Sequence, residues 1–218
     1  MMNYRKIHYC WFGPNDLSEL ATQCIDTWKK YFPDHEIICW SESNIPISND
    51  ITNYYIKRKM WAFLSDYIRL VVLHQYGGIY FDTDIEVIKS FPEFIKNEAI
   101  FGWESDDFIN AGVIISPPQN KFIKFCIDDI EERFKSKRYF ETIPRTITRC
   151  FEEFNEKYLV RITDKETFYP FNPYTDSKKI LMFKDIKNNT LCIHHWEHNW
   201  NISKIDRLKN KLKRMMKT

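Results

Sequence analysis

The chain has 218 residues, 44% of them apolar and 17% aromatic, with a net charge of +2. That is enough apolar material for one domain's core and far from the composition of a disordered chain. Six cysteines without a CxxC pair, and no apolar run near the ~20 residues that span a bilayer, give no support to zinc-ligand, disulfide-scaffold or transmembrane readings. The expectation is a soluble, cytoplasmic protein with reduced thiols.

Charge is unevenly placed. From Asn201 to Thr218 seven Lys and Arg face one acid, Asp206, giving +6 and leaving −4 on the preceding 200 residues. A mildly acidic body argues against nucleic acid as a partner.

In chain order, the start leads without a signal-peptide h-region into a strand over Tyr4–Cys10, and Gly13–Asp16 turns the chain. Ser18–Tyr31 has helical spacing, with Ala21, Cys24, Ile25 and Trp28 on one side, and Pro33 ends it. His35–Trp40 is a second strand, so the opening reads as a βαβ unit of a partly parallel sheet. Asn44–Asn53 reads as polar and turn-rich. Lys59–Gln75 is the longest predicted helix, closed by Gly77-Gly78. Ile79–Phe81, Ile85–Ile88, Ala99–Trp103 and Gly112–Ser116 are predicted strands. Lys121–Lys135 and Glu141–Glu156 are predicted helices, and Tyr158–Ile162 and Thr190–His194 strands on either side of an irregular stretch. From Ser203 the pattern is again helical. No repeat or linker is visible, which predicts one α/β domain over residues 1–200 and a separate basic helix over 201–218.

Ser65, Asp66 and Arg69 share one face of the long helix with Ala62. Charges on so apolar a helix need partners. Either Asp66 and Arg69 form an internal i,i+3 pair that orients the helix, or the face meets a hydroxyl-rich, anionic ligand. The run Gly77-Gly78-Ile79-Tyr80-Phe81-Asp82-Thr83-Asp84 then delivers two carboxylates at the carboxyl end of a short apolar strand, where open α/β sheets bind ligands. Asp82 and Asp84 either share one hard cation or divide the work between cation and sugar hydroxyl.

The pattern Ala62-x-x-Ser65-Asp66-x-x-Arg69 followed by Gly77-Gly78-Ile79-Tyr80-x-Asp82-x-Asp84 resembles the sugar-binding region of DxD glycosyltransferases. That group includes capsular-polysaccharide transferases, the initiating α-1,6-mannosyltransferase of yeast and, more distantly, bacterial glucosylating toxins. Ile7–Gly13 resembles the family's first strand, and Ile193-His194-His195-Trp196 with Asn199-Trp200 its C-terminal segment.

The resemblance implies a single GT-A type domain, a Rossmann-like mixed sheet flanked by helices. It implies Mn²⁺ or Mg²⁺ as cofactor, a UDP- or GDP-hexose donor, a saccharide acceptor and a retaining transfer in polysaccharide biosynthesis. Asp84 is then the principal metal ligand, with His194 approaching and Asp82 nearer the ribose and sugar. Ser65, Asp66 and Arg69 face the donor hexose. His8, Tyr9 and Trp11 contact the base, Asn110 lies near the sugar, and Trp196 and Trp200 cover the diphosphate. Spacing alone leaves two choices open. His194 and His195 point to opposite faces of a strand, and Asn110 is either a sugar contact or an ordinary turn residue. Glu104, Asp106 and Asp107 read as loop acids with the alternative of one reaching the reaction face. Thr142-Ile143-Pro144 replaces the Gly-Pro of relatives, and Asn199 their Ser.

Ile202, Ile205, Leu208, Leu212, Met215 and Met216 alternate with the seven cations, the pattern of a helix lying on an anionic membrane surface. The alternative is a solvated terminal helix. Rival functions are a toxin-like protein glycosyltransferase, for which the chain offers no delivery domain, and a non-catalytic nucleotide-sugar-binding subunit.

Overall fold

The computed structural model describes residues 5–92, 97–136 and 141–197. The predicted tail helix, the 202–217 surface and Trp200 lie outside the described residues.

The chain opens with β1 (Lys6–Cys10), α1 (Glu19–Tyr31) and β2 (Glu36–Trp40). Ser18 caps α1 by accepting from the Ala21 N–H, with Glu19 in the first turn and Lys29 and Lys30 in the last, in the sense that favours the helix dipole. Next comes α2 (Asp50–Lys57), in a stretch expected to be turn-rich. Its start is a capping box in which Asn49 and Thr52 satisfy each other's backbone N–H, and it buries Ile51, Thr52 and Tyr55. A short helix with a Thr at the third position reads as polar loop, because only burial separates the two.

Then follow α3 (Trp61–Tyr76), β3 (Gly78–Phe81), β4 (Ile85–Val87), β5 (Ala99–Trp103), β6 (Ile109–Ser116), α4 (Lys121–Lys135), α5 (Ile143–Glu153), β7 (Val160–Thr163), α6 (Lys165–Phe168) and β8 (Cys192–His194). α3 starts two residues later than its sequence pattern, since Lys59 sits at φ 53°. β6 starts three residues earlier than predicted, so Asn110 lies within a strand and not in the turn before it.

The main sheet has the order β2-β1-β3-β6-β5-β7. β2, β1 and β3 are parallel, β6 runs against both β3 and β5, and β7 is parallel to β5. β4 and β8 form a separate antiparallel pair with Ile85 opposite His194. One apolar cluster gathers Leu64, Tyr67, Ile68 and Val72 of α3 with Phe122 of α4 and Ile147 of α5. The other gathers Trp28 of α1 with Ile85 and Val87 of β4, Phe168 and Cys192. The fold is therefore the mixed, helix-flanked sheet that was expected.

Two glycines make the α3–β3 junction. Gly77 and Gly78 have φ of 65° and 106°, and a Cβ on Gly78 would lie 2.5 Å from the Lys6 carbonyl oxygen. No side chain fits there, because β3 must start flush against β1. Gly78→Ala is expected to cost about 3 kcal/mol through strain and overlap. Urea unfolding should show a lower midpoint at unchanged slope; a loss under about 1 kcal/mol would mean the junction relaxes freely.

Candidate active site

The strand order reverses at β1. The chain passes from β1 to β2 on one side, then returns through α2 and α3 to β3 on the other. Such a switch point opens a crevice at the carboxyl ends of the strands, and Asp82 follows β3 there directly.

Arg69 holds this end together. Its guanidinium is buried and reaches Asp66 at 2.9 Å and Asp82 at 3.2 Å. It also donates to the Ala111 carbonyl of β6 at 2.9 Å and lies over the Tyr80 ring at 4.8 Å. Tyr80 O–H donates to Asp82 Oδ1 at 3.0 Å and is 3.1 Å from Ser65 Oγ. Ser65, Asp66, Arg69 and Asp82 are thus one network. The i,i+3 pair on the helix exists, but half of the guanidinium is turned toward the sheet.

Two carboxylates share one cation. Burial pushes the Asp66 pKa up to about 7, with Arg69 opposing and Asp82 adding to the rise. Burial disfavours the Arg69 charge, yet Asp82, Tyr80 and Asp66 together drive its pKa well above the ordinary value.

Asp84 has different partners. It is buried; its Oδ2 lies 3.2 Å from His194 Nε2 and accepts the Glu197 N–H at 2.8 Å. The β4/β8 pairing places His194 there, while His195 turns outward to Glu86 at 2.9 Å. Burial works against the Asp84 anion, but His194 and the Glu197 N–H outweigh it and the pKa is lowered. Burial likewise works against the His194 cation, and Asp84, then Asp82 and Glu104, outweigh it and raise the pKa.

His194 Nδ1 is buried without a hydrogen-bond partner. Trp196, at φ 59°, stacks on the imidazole at 4.1 Å and donates to the Phe171 carbonyl. A carboxylate and an imidazole with unspent capacity fit a divalent cation that completes its shell with phosphate and water. Among the described residues no three His, Cys, Asp or Glu converge as metal ligands. Asp82, expected as a third ligand, is instead spent on Arg69 and Tyr80.

The three residues expected beside a base fare differently. His8 is a correction: it is fully buried, with Nε2 at 2.9 Å from the Gly77 carbonyl oxygen and Nδ1 accepting from Trp40 Nε1. Burial lowers its pKa to about 4, with the Gly77 carbonyl opposing, so it is a neutral core residue. Tyr9 is also in the core, edge-on to Trp28 at 5.6 Å. Trp11 alone of the three stays partly exposed beyond β1, its Nε1 donating to the Asn15 carbonyl.

Asn110 lies beside the Arg69 network, donating to Glu104 and accepting from the Gly112 N–H. Tyr80 and Glu104 are the polar groups that sequence reasoning underweighted. Tyr80 stands two residues before Asp82, on the same strand face, and period-2 alternation could have shown it. Glu104 carries no local signal that separates it from a solvated loop acid.

The family described as "Glycosyltransferase sugar-binding region containing DXD motif" matches residues 18–101, covering α1 through the DxD turn into β5. The chain carries a DXD glycosyltransferase sugar-binding region. A lactosylceramide 4-alpha-galactosyltransferase of Pongo pygmaeus is 27% identical over 150 residues, 61% of this chain and 66% of the relative. The chain spans about half to two thirds of the length of the first curated relatives it matches.

Among solved structures, the PaToxG glycosyltransferase superposes with a TM-score of 0.58 at 20% identity, over 68% of this chain and 69% of that one. Galactosyltransferase LgtC, solved with donor and acceptor sugar analogs, gives 0.50 at 15% identity over 94% of each chain. The DXD region is thus set in a GT-A type fold.

The shared cation yields a prediction with a definite sign. The folded state binds the Asp66 proton more tightly than the unfolded chain does. The associated stability is present below the ordinary carboxylate pKa and is lost as pH rises toward 7. Asp66→Asn imitates the protonated acid without titrating. Its melting temperature should match wild type near pH 4 and exceed it by several degrees at pH 8. A pH-independent gap in thermal melts would refute the account.

Proposed function

We propose that this chain is a metal-dependent, retaining glycosyltransferase that moves a hexose from a UDP- or GDP-linked donor to a hydroxyl of a glycan or lipid-linked saccharide, in polysaccharide biosynthesis. The reading is carried by one observation. The Arg69 network and the Asp84–His194 pair, the latter joining residues more than 100 apart in sequence, lie together at the carboxyl end of β3. The alpha linkage in the relative's name supports retention, since common nucleotide-sugar donors are themselves α-linked.

Asp84 and His194 hold Mn²⁺ or Mg²⁺ in this reading. The cation, when bound, supplies Lewis-acid neutralisation of the departing diphosphate. Asp66, Arg69 and Asp82 hold sugar hydroxyls with donors and acceptors already fixed by the fold, so little reorganisation accompanies reaction. Trp11 lies at the base end of the crevice, and Trp196 covers the diphosphate. No side chain is assigned as nucleophile; the departing phosphate takes the acceptor proton.

Purified protein should hydrolyse its nucleotide sugar slowly when Mn²⁺ is added. Asp84→Ala should lower that rate by roughly 100-fold or more while the fold survives. Unchanged hydrolysis in the variant would sink the assignment. Absence of any turnover alongside tight donor binding would favour the non-catalytic subunit. A thermal-shift screen of UDP- and GDP-sugars with Mn²⁺ identifies the donor, because a ligand that binds only the folded state raises its apparent stability. A toxin-like activity on a protein acceptor is the second reading; the PaToxG likeness favours it only at the level of fold.

No helix among the described residues is long and apolar enough to cross a membrane. We infer that residues 202–217 instead bring the enzyme to an anionic surface, the inner face of the cell membrane, where a lipid-linked acceptor resides. Each cation near such a surface contributes about 1 kcal/mol. Full-length protein should co-sediment with phosphatidylserine vesicles at low salt, and a form ending at Trp200 should not. Equal binding by both removes the membrane role.

A further inference from the structure

Glu104 follows β5 directly, and its N–H closes the turn onto the Phe108 carbonyl at 2.9 Å. The turn faces its carboxylate inward, where one oxygen accepts from Asn110 Nδ2. The opposite end of the same amide accepts the Gly112 N–H at 2.6 Å. Asn110 is therefore held at both ends, and its oxygen and nitrogen cannot exchange places without breaking two bonds.

The constraint continues toward Asp82. The Gly112 carbonyl accepts the Asp82 N–H at 2.8 Å. The space where a Gly112 side chain would begin is filled by Asp82 Oδ2 at 2.9 Å and Asn110 Oδ1 at 3.1 Å. Glu104, Asn110, Gly112 and Asp82 form one unbroken series from the β5 turn to the DxD strand. The series runs across β6, which lies between β5 and β3. Burial raises the Glu104 pKa, with Asn110, His194 and Lys165 opposing, so the carboxylate is held where solvent would suit it better.

We propose that Glu104 is a positioning residue for sugar transfer: it locks the Asn110 amide so that the remaining Asn110 N–H and the Asp82 carboxylate meet the donor sugar as a fixed pair. The proposal rests on the glycosyl-transfer reading of this site. Gln at 104 keeps an oxygen able to accept the same hydrogen bond, whereas Ala removes it.

The test compares wild type, Glu104→Ala, Glu104→Gln, Asn110→Ala and the double Ala variant. The activity readout is hydrolysis of UDP-galactose, UDP-glucose, UDP-N-acetylglucosamine and GDP-mannose with Mn²⁺. Glu104→Ala should lower kcat by about 10- to 100-fold, as misplacement of a reacting group does, with KM within about twofold. Glu104→Gln should recover most of the loss. The double variant should be no slower than Asn110→Ala alone, because one residue acts through the other. A second readout needs no turnover. The Asn110 side-chain NH₂ resonances, located by their disappearance in Asn110→Ala, should be protected from exchange in wild type and Glu104→Gln but not in Glu104→Ala.

Full activity in Glu104→Ala, a Gln variant as slow as the Ala variant, additive losses or an unprotected wild-type amide would each overturn the proposal. If wild type hydrolyses none of the four sugars, the glycosyl-transfer reading is what fails. The amide lock is then judged by resonance protection alone, with loss of protection in Glu104→Gln overturning it.

Discussion

A buried guanidinium with no anion beside it would be intolerable, and one with two carries a surplus negative charge. Arg69 sits between Asp66 and Asp82 in this chain, with the Ala111 carbonyl as a further acceptor. Removing Arg69 from such a group typically costs about 3–5 kcal/mol, because the two carboxylates left behind stay buried without a cation. The arrangement ties α3 to β3 and β6 at one point. It also leaves an excess negative charge, which a proton on Asp66 relieves in the free protein. Hydroxyl-rich ligands suit such a site, since they offer donors to the carboxylates and acceptors to the guanidinium without adding charge.

The same interaction explains why two neighbouring aspartates do different things. Asp82 ends the β3 register and remains under Arg69 and Tyr80. Asp84, two residues on, has left that sheet and met β8 at the start of β4. Its partners are an imidazole and a backbone N–H, neither a permanent cation. Asp84 therefore stands apart from the Arg69 charge that holds Asp82. The segment that follows His194 closes against it, with Glu197 also accepting from the α1 cap Ser18 at 2.8 Å.

The antiparallel β6 completes the site. Inserted between β3 and β5, it sets the Asn110 side chain against Glu104, the Ala111 carbonyl against Arg69 of α3, and the missing side chain of Gly112 against Asp82. Three consecutive residues serve three kinds of contact because adjacent strand residues differ in direction while their backbones remain in reach.

Local pattern was enough to place α1, α3, the GGIYF strand and the carboxylates at its end, since periodicity and glycine punctuation are read by the chain itself. The Ser65/Asp66/Arg69 face and Asp82 could be named together for the same reason: helix and strand geometry set them. Pattern was not enough for α2, where polar residues hide a helix that only burial reveals, or for His8, whose strand face turned out to be core. Nor could it choose His194 over His195, separate the duties of Asp82 and Asp84 on its own, or bring Glu104 inward. Those outcomes depend on which distant strand lies alongside, β8 against β4 and β6 between β3 and β5. Hydrogen-bond register between segments 100 residues apart is a property of the assembled sheet, and no local spacing encodes it.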